Sequence, residues 1–234
     1  MNLERKTARL AMATFIIMMM VSMTPQDYEV AAEFTNSQSR TDLTGINVAV
    51  YWGTALHSVV ASTDALVHMY EWMNATVDIV NETQVKEGIL EDYQIFAMPG
   101  GNPVTFKNRF GSAGRAAIHD WVRRGGSYFG ICGGAMFATR LTSFNGDSLY
   151  FQLNLFNGTV FGPITGVSGM TKLHVNTSCT GPDLSDLAST TLSNYQGGGY
   201  YVADEGQEML TLATYDVNSE ASIIASACGS GTFC

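Results

Sequence analysis

An α/β fold is predicted for this chain of 234 residues: a parallel sheet with helices on both faces, then a β-rich C-terminal half. Three observations predict it. From residue 46, short apolar runs rich in β-branched residues alternate with helical stripes, as strands joined by crossover helices do. After about residue 143 the stripes give way to shorter strand-like runs joined by Asn-Gly, Gly-Gly-Gly and Asn-Ser turns. Charged residues make up only 14% against 46% hydrophobic, with 24 glycines, a composition that suits buried strands and tight turns.

The elements follow in order. "INVAVYW" (46–52) is a continuous apolar run, the mark of a strand buried on both faces. A helix over 59–73 spaces Val59, Leu66, Val67, Tyr70 and Met73 as one buried stripe. "ATVDIV" (75–80) is a second strand, a short helix starts near Thr83, and "YQIFAMPGG" (93–101) is a third strand ending in Pro-Gly-Gly. "SAGRAAIHDWVRR" (112–124) predicts a helix capped by Ser112 that buries Ala117, Ile118, Trp121 and Val122. Arg123 and Arg124 suit its negative end and Gly125 stops it. "SYFGI" (127–131) is the fourth strand, and "GGAMFATR" opens another helix. The β-rich half follows in "LYFQLNLFNGTVFGPI", "TKLHVN", "SNYQGGGYYVAD", "EMLTLATYDV" and "ASIIASACGSGTFC". No repeat or low-complexity tract interrupts this order.

Three stretches organise the chain. Residues 1–25 read as a targeting segment: Arg5, Lys6 and Arg9 precede the short apolar run "LAMATFIIMMMVSM". The run is short for a membrane span, and no small-x-small cleavage site follows it at once, so a cleaved signal peptide and an uncleaved N-terminal anchor are the two alternatives. Residues 26–44 read as a polar linker, and 45–234 as the folded domain. An exported protein, secreted or anchored through its N-terminus, is expected. N-x-[ST] triplets at Asn74, Asn81, Asn157 and Asn176 are consistent with that address. So are Cys132, Cys179, Cys228 and Cys234, which could pair in an oxidising compartment. The net charge of −9 excludes nucleic acid as a partner, because a phosphate backbone needs Lys and Arg to neutralise it. No C-x-x-C or H-x-x-x-H spacing points to a metal, and no G-x-x-x-x-G-K loop points to a nucleotide. No cofactor is expected.

The chemistry concentrates in "GSYFGICGGAMFATR" (126–140). In a parallel sheet, ligands gather at the carboxyl ends of the strands, and three features reach that edge. They are Tyr51-Trp52-Gly53, Pro99-Gly100-Gly101 and Gly130-Ile131-Cys132-Gly133-Gly134. A residue on a sharp strand-to-helix turn projects above the sheet, and its neighbours must be small for the backbone to pass. G-x-C-G-G is the thiol version of that elbow. A helix N-terminus beside the sulfur should lower its pKa, favouring thiolate. The N–H of Gly133, with that of Gly100 or Gly101, would receive an oxyanion. The plainer alternative is a small buried cysteine with glycines that serve packing only.

At "YQIFAMPGGNP" and "IHDWVRRGGSYFGICGGAMFA", and more loosely at "YQGGGYY" and "SIIASACGSGTF", the chain resembles the class I glutamine amidotransferase-like superfamily. Within it, the chain is most similar to the branch of the biotin–protein ligase N-terminal domain. The resemblance implies a three-layer, flavodoxin-like architecture across most of residues 46–233. It implies Cys132 as nucleophile, Gly100, Gly101 and Gly133 along the oxyanion site, and "YQGGGYY" on the pocket rim. Trp52, His57, Gly134, Gly198 and Tyr200 complete the expected pocket. Members of the superfamily carry a His-x-Glu pair just after the last core strand. This sequence reaches Cys234 at about that point, leaving two alternatives: a pair beyond residue 234, or none. Intracellular-protease-like relatives place His directly after the Cys, where this chain has Gly133.

Of the histidines, His68 and His119 fall on polar helix faces and His174 has no positional clue. Only His57, in the loop after the first strand, stands at the right edge. Asp204 and Glu205 read as turn residues rather than pocket acids. Two functions are compatible with these residues. One is a hydrolase or acyl-transfer enzyme acting on a carboxamide or related acyl group through Cys132. The other is a non-catalytic domain binding a small molecule in the same pocket.

Overall fold

The computed structural model describes residues 41–53, 57–151 and 153–234, the side chains of 57–59 excepted. The targeting segment and residues 26–40 of the linker lie outside the described residues. The linker's last residues belong to the fold. Leu43 is fully buried and its N–H donates to the Met73 carbonyl at 2.7 Å, so the ordered domain begins earlier than residue 45.

The first half alternates as expected. β1 (Asn47–Tyr51), α1 (His57–Trp72), β2 (Thr76–Val80), α2 (Glu82–Lys86) and a 3₁₀ turn (Ile89–Asp92) lead to β3 (Ile95–Met98). Then come α3 (Pro103–Arg123), β4 (Ser127–Gly130) and α4 (Gly133–Ala138). The second half is β5 (Thr139–Phe144), β6 (Asp147–Tyr150), β7 (Phe156–Gly162), β8 (Gly169–Val175) and β9 (Thr190–Tyr195). It ends with β10 (Tyr200–Ala203), β11 (Leu210–Tyr215), β12 (Ala221–Cys228) and β13 (Gly231–Phe233).

The architecture is mixed α/β, with few helices and, among the described residues, a 13-stranded sheet. Its main path runs β2-β1-β3-β4-β13-β12-β10-β7-β5-β6, with β11, β8 and β9 branching from β12. Pairing is parallel from β2 through β13 and turns antiparallel where β13 meets β12. The last strand thus joins the two halves. The register is Thr232 against Ser127 and Phe233 against Tyr128.

Strand alternation splits the core in two. Ala49, Phe96, Met98 and Tyr128 pack with Phe106, Phe110, Ile118 and Trp121 of α3. Their neighbours Val48, Val50, Ile95, Ala97 and Phe129 pack with Leu66, Met69 and Tyr70 of α1 and with Met73 just after it. Strand β2 holds the sheet edge, which is why Thr76, Asp78 and Ile79 stay exposed.

Two expectations change. The helix predicted from Ser112 begins at Pro103, with Asn102 as its cap: Oδ1 accepts from the N–H groups of Val104 (2.9 Å) and Thr105 (3.3 Å). Gly111, at φ 59° and ψ −166°, breaks the turn inside it, so Ser112 opens only the second segment. Ile118, Trp121 and Val122 are buried as expected, whereas Ala117 is half-buried. The Asn-Gly pair at Asn157-Gly158 lies within β7 rather than in a turn. A Cβ on Gly158 would meet the Val202 carbonyl at 2.5 Å, so close strand approach demands the glycine. The Asn-Gly turn is Asn145-Gly146 between β5 and β6, both at positive φ (54° and 89°), as a two-residue hairpin turn requires. Among the described residues no helix is long and apolar enough to cross a membrane.

Candidate functional site

The sequence forces a corner after β4. Cys132 sits at φ 50° and ψ −114°, a conformation that L-residues rarely adopt and that persists only where surroundings impose it. The surroundings are specific. Ile131 N–H donates to the Met98 carbonyl at 3.0 Å, Gly134 N–H to the Ile131 carbonyl at 2.8 Å, and Met136 N–H to the Cys132 carbonyl at 2.9 Å. The buried Tyr128 hydroxyl donates to the Gly134 carbonyl at 2.7 Å. The flanking glycines are required by backbone contact. A Cβ on Gly134 would stand 2.5 Å from the Met98 carbonyl oxygen, and one on Gly130 would stand 2.7 Å from the Ala135 nitrogen. The loop after β3 therefore lies directly against the elbow.

Cys132 opens on a cavity of about 510 Å³, within the range of small-molecule sites. Gly100, Gly101, Gly130 and Ile131 line it from the sheet edge, and Ala61, Ser62 and Ala65 from α1. The β-rich half contributes Ser193, Tyr195, Gln196, Gly198, Tyr201, Tyr215 and Ser222. Tyr195 and Tyr215 brace the glycine loop: their hydroxyls donate to the carbonyls of Gly198 (2.7 Å) and Gly199 (3.2 Å).

The three glycine amides expected at an oxyanion site divide. Gly100 N–H is already taken, donating to Ser62 Oγ at 2.8 Å. Gly133 and Gly101 direct their N–H groups to the Cys132 sulfur. The thiol titrates above its usual range rather than below it. Desolvation by the cavity walls raises it, and the two amides oppose that without reversing it. Solvent does reach the sulfur, but through a concave site. All four cysteines are unpaired in this structure.

The remaining expected pocket residues divide. Gly198 lines the cavity; Trp52, Gly134 and Tyr200 do not. Gly134 is buried beneath the elbow and Trp52 stays at the end of β1. Tyr200 stacks on Phe161 (centroids 5.6 Å apart), while Tyr201, on the opposite side of the pleat, faces the cavity. His57 is the first residue of α1, and its side chain lies outside the described residues. His68 is exposed. His119 approaches Asp120 at 3.4 Å, and His174 is held by Asp216 at 2.5 Å. Asp204 is bound by Arg140 at 2.6 Å and 3.0 Å, away from the cavity. Among the described residues, no His, Asp or Glu lines the cavity, and no cluster of His, Cys, Asp and Glu could hold a metal ion.

Residues 46–233 match the family model described as biotin-protein ligase, N terminal, with the elbow and the Pro-Gly-Gly loop inside the match. The chain belongs to that family. Solved structures share the fold of this biotin–protein ligase N-terminal family member. A glutamine amidotransferase from Thermotoga maritima superposes with a TM-score of 0.52 at 12% identity, over 80% of this chain and 74% of that one. A ThuA-like protein from Bacteroides uniformis superposes with 0.56 at 12% identity, over 84% and 82%. An uncharacterized protein of Chlamydia muridarum is 30% identical over 150 residues, 58% of this chain and 55% of its own. The chain thus spans about half the length of that curated relative.

In this member of the biotin–protein ligase N-terminal family, sequence reasoning missed Ser62. No motif marks it, but a small polar residue at the cavity end of α1, opposite Pro-Gly-Gly, was its only signal. Removing its hydroxyl leaves the buried Gly100 N–H without a partner. Ser62→Ala is expected to cost about 1–3 kcal/mol in urea denaturation, and a Ser62→Thr chain should recover part of that loss.

Proposed function

We propose that this protein acts on a small carboxamide or related acyl group through Cys132, as a hydrolase or acyl-transfer enzyme. The observation that carries the reading is the elbow. A single thiol is held at positive φ, open to a 510 Å³ cavity, with the N–H groups of Gly101 and Gly133 aimed at it. In the step these groups could support, sulfur bonds to the acyl carbon as the carbonyl π pair moves onto oxygen. The two amides stabilise that charge. The thiol proton passes to the leaving nitrogen, the C–N bond breaks, and water then cleaves the thioester, restoring the thiol. The N-terminal Arg5, Lys6 and Arg9 before an apolar run support export, with secretion or N-terminal anchoring as its two forms.

The test is turnover of simple amides, followed as ammonia release. Wild type should release ammonia, and Cys132→Ser should lower the rate by at least about a hundredfold, the scale of losing an activated nucleophile. Equal rates in the two chains would overturn the reading.

One observation favours a second reading, a binding domain without chemistry. The thiol titrates high, and no imidazole or carboxylate lines the cavity among the described residues. On that reading, an amide-dependent rise in melting temperature survives Cys132→Ala while no ammonia appears.

A further inference from the structure

We propose that the cavity selects uncharged carboxamides bearing an apolar substituent and rejects zwitterionic or anionic ones, free glutamine included. This rests on the reading of the Cys132 cavity as an acyl-binding site and names its substrate class.

The argument begins with charge. Among the described lining residues there is no Lys, Arg, Asp, Glu or His, although the chain carries 12 basic and 21 acidic residues. Three arginines of the chain are paired with carboxylates outside the cavity: Arg140 with Asp204 at 2.6 Å, Arg109 with Glu82 at 2.9 Å, and Arg124 with Glu91. A carboxylate or ammonium entering the site would give up water and meet no opposite charge, an arrangement that folded proteins avoid.

The walls say what does fit. Ala61, Ala65, Ile131, Met136, Ile223 and Ile224 supply apolar lining. Neutral polar residues complete the lining, Ser62, Ser193 and Gln196 among them. Tyr195 and Tyr215 are spent on the Gly198 and Gly199 carbonyls, so they add ring surface rather than hydroxyl capacity. A carboxamide supplies both a donor and an acceptor without net charge, and the volume leaves room for several further carbons.

The test uses the full chain and follows alkylation of Cys132 by iodoacetamide, read by peptide mass spectrometry. Phenylacetamide is expected to slow alkylation at concentrations at least a hundredfold below any effect of phenylacetate or L-glutamine. Gln196 is exposed at the cavity mouth, so Gln196→Lys should fold normally. It is expected to improve protection by phenylacetate at least tenfold. Equal protection by phenylacetate or glutamine overturns the neutral class while leaving the pocket standing. So does protection by none of the three, or a Gln196→Lys chain indifferent to phenylacetate. If Cys132 resists iodoacetamide in the native chain and reacts only after unfolding, the acyl-site reading itself falls.

Discussion

Gly133→Ala is expected to lower the free energy of unfolding by about 3 kcal/mol or more and to remove the cavity with it. A Cβ at this position would overlap the Gly101 carbonyl oxygen and stand 2.7 Å from its carbon. Neither partner is a flexible side-chain tip. Both are backbone, pinned by the bonds between Ile131 and Met98 and between Gly100 and Ser62. The loop after β3 must retreat for the methyl to fit, and retreat takes the Gly101 N–H away from the sulfur. Gly198→Ala provides the contrast. Its Cβ would lie 3.5 Å from the Tyr195 ring and from the Tyr215 hydroxyl, which is ordinary contact. That change should stay within about 0.5 kcal/mol in the same urea titration. Comparable losses for the two alanines would sink the account of the elbow.

A second large effect is expected at high pH. Burial pushes the Cys234 thiol from 9.0 up to about 12, and the buried Tyr70 and Tyr128 phenols are raised in the same direction by desolvation. These groups are neutral when protonated, so the folded state holds its protons longer than the unfolded chain does. Stability from Cys234 is therefore complete below pH 9 and drains away as pH climbs from 9 towards 12. The expected slope is on the order of 1 kcal/mol per pH unit for that thiol, with the tyrosines steepening it further up. Urea midpoints at half-unit steps would show it. Cys234→Val, close in volume and without a proton to lose, should flatten the slope between pH 9 and 10. An unchanged slope would assign the loss to other groups.

Much of the fold could be read in advance because the parallel half obeys local rules. β3 is buried throughout and β1 from Val48 onward, and Leu66 and Tyr70 mark the inward stripe of α1. The elbow was readable for the same reason, since only small residues pass where Gly133 and Gly134 do. What could not be read depends on partners distant in sequence. Tyr201 rather than Tyr200 faces the cavity because β10 pairs with β7 in one register, and parity in a strand is invisible until that register is known. Ser62 owes its role to a glycine amide brought beside it by the crossover from β1. The thiol was expected to titrate low from its place before a helix. Burial by the cavity walls outweighs the two amides, and the walls come from residues distant in sequence from Cys132. The break at Gly111 likewise hid the first part of α3, because its cap and its breaker lie on opposite sides of one helical segment.

The position of β13 has a consequence for how the protein is made. Its hydroxyl contact from Thr232 to Ser127 closes a separation of 105 residues, and β4 has no other neighbour on that side. As the nascent polypeptide emerges from the ribosome, the parallel layer must wait with an open flank until residues 231–233 arrive. Completion of the folded sheet should thus lag behind synthesis of the first half, and a chaperone that shields bare strands would find its client in that interval.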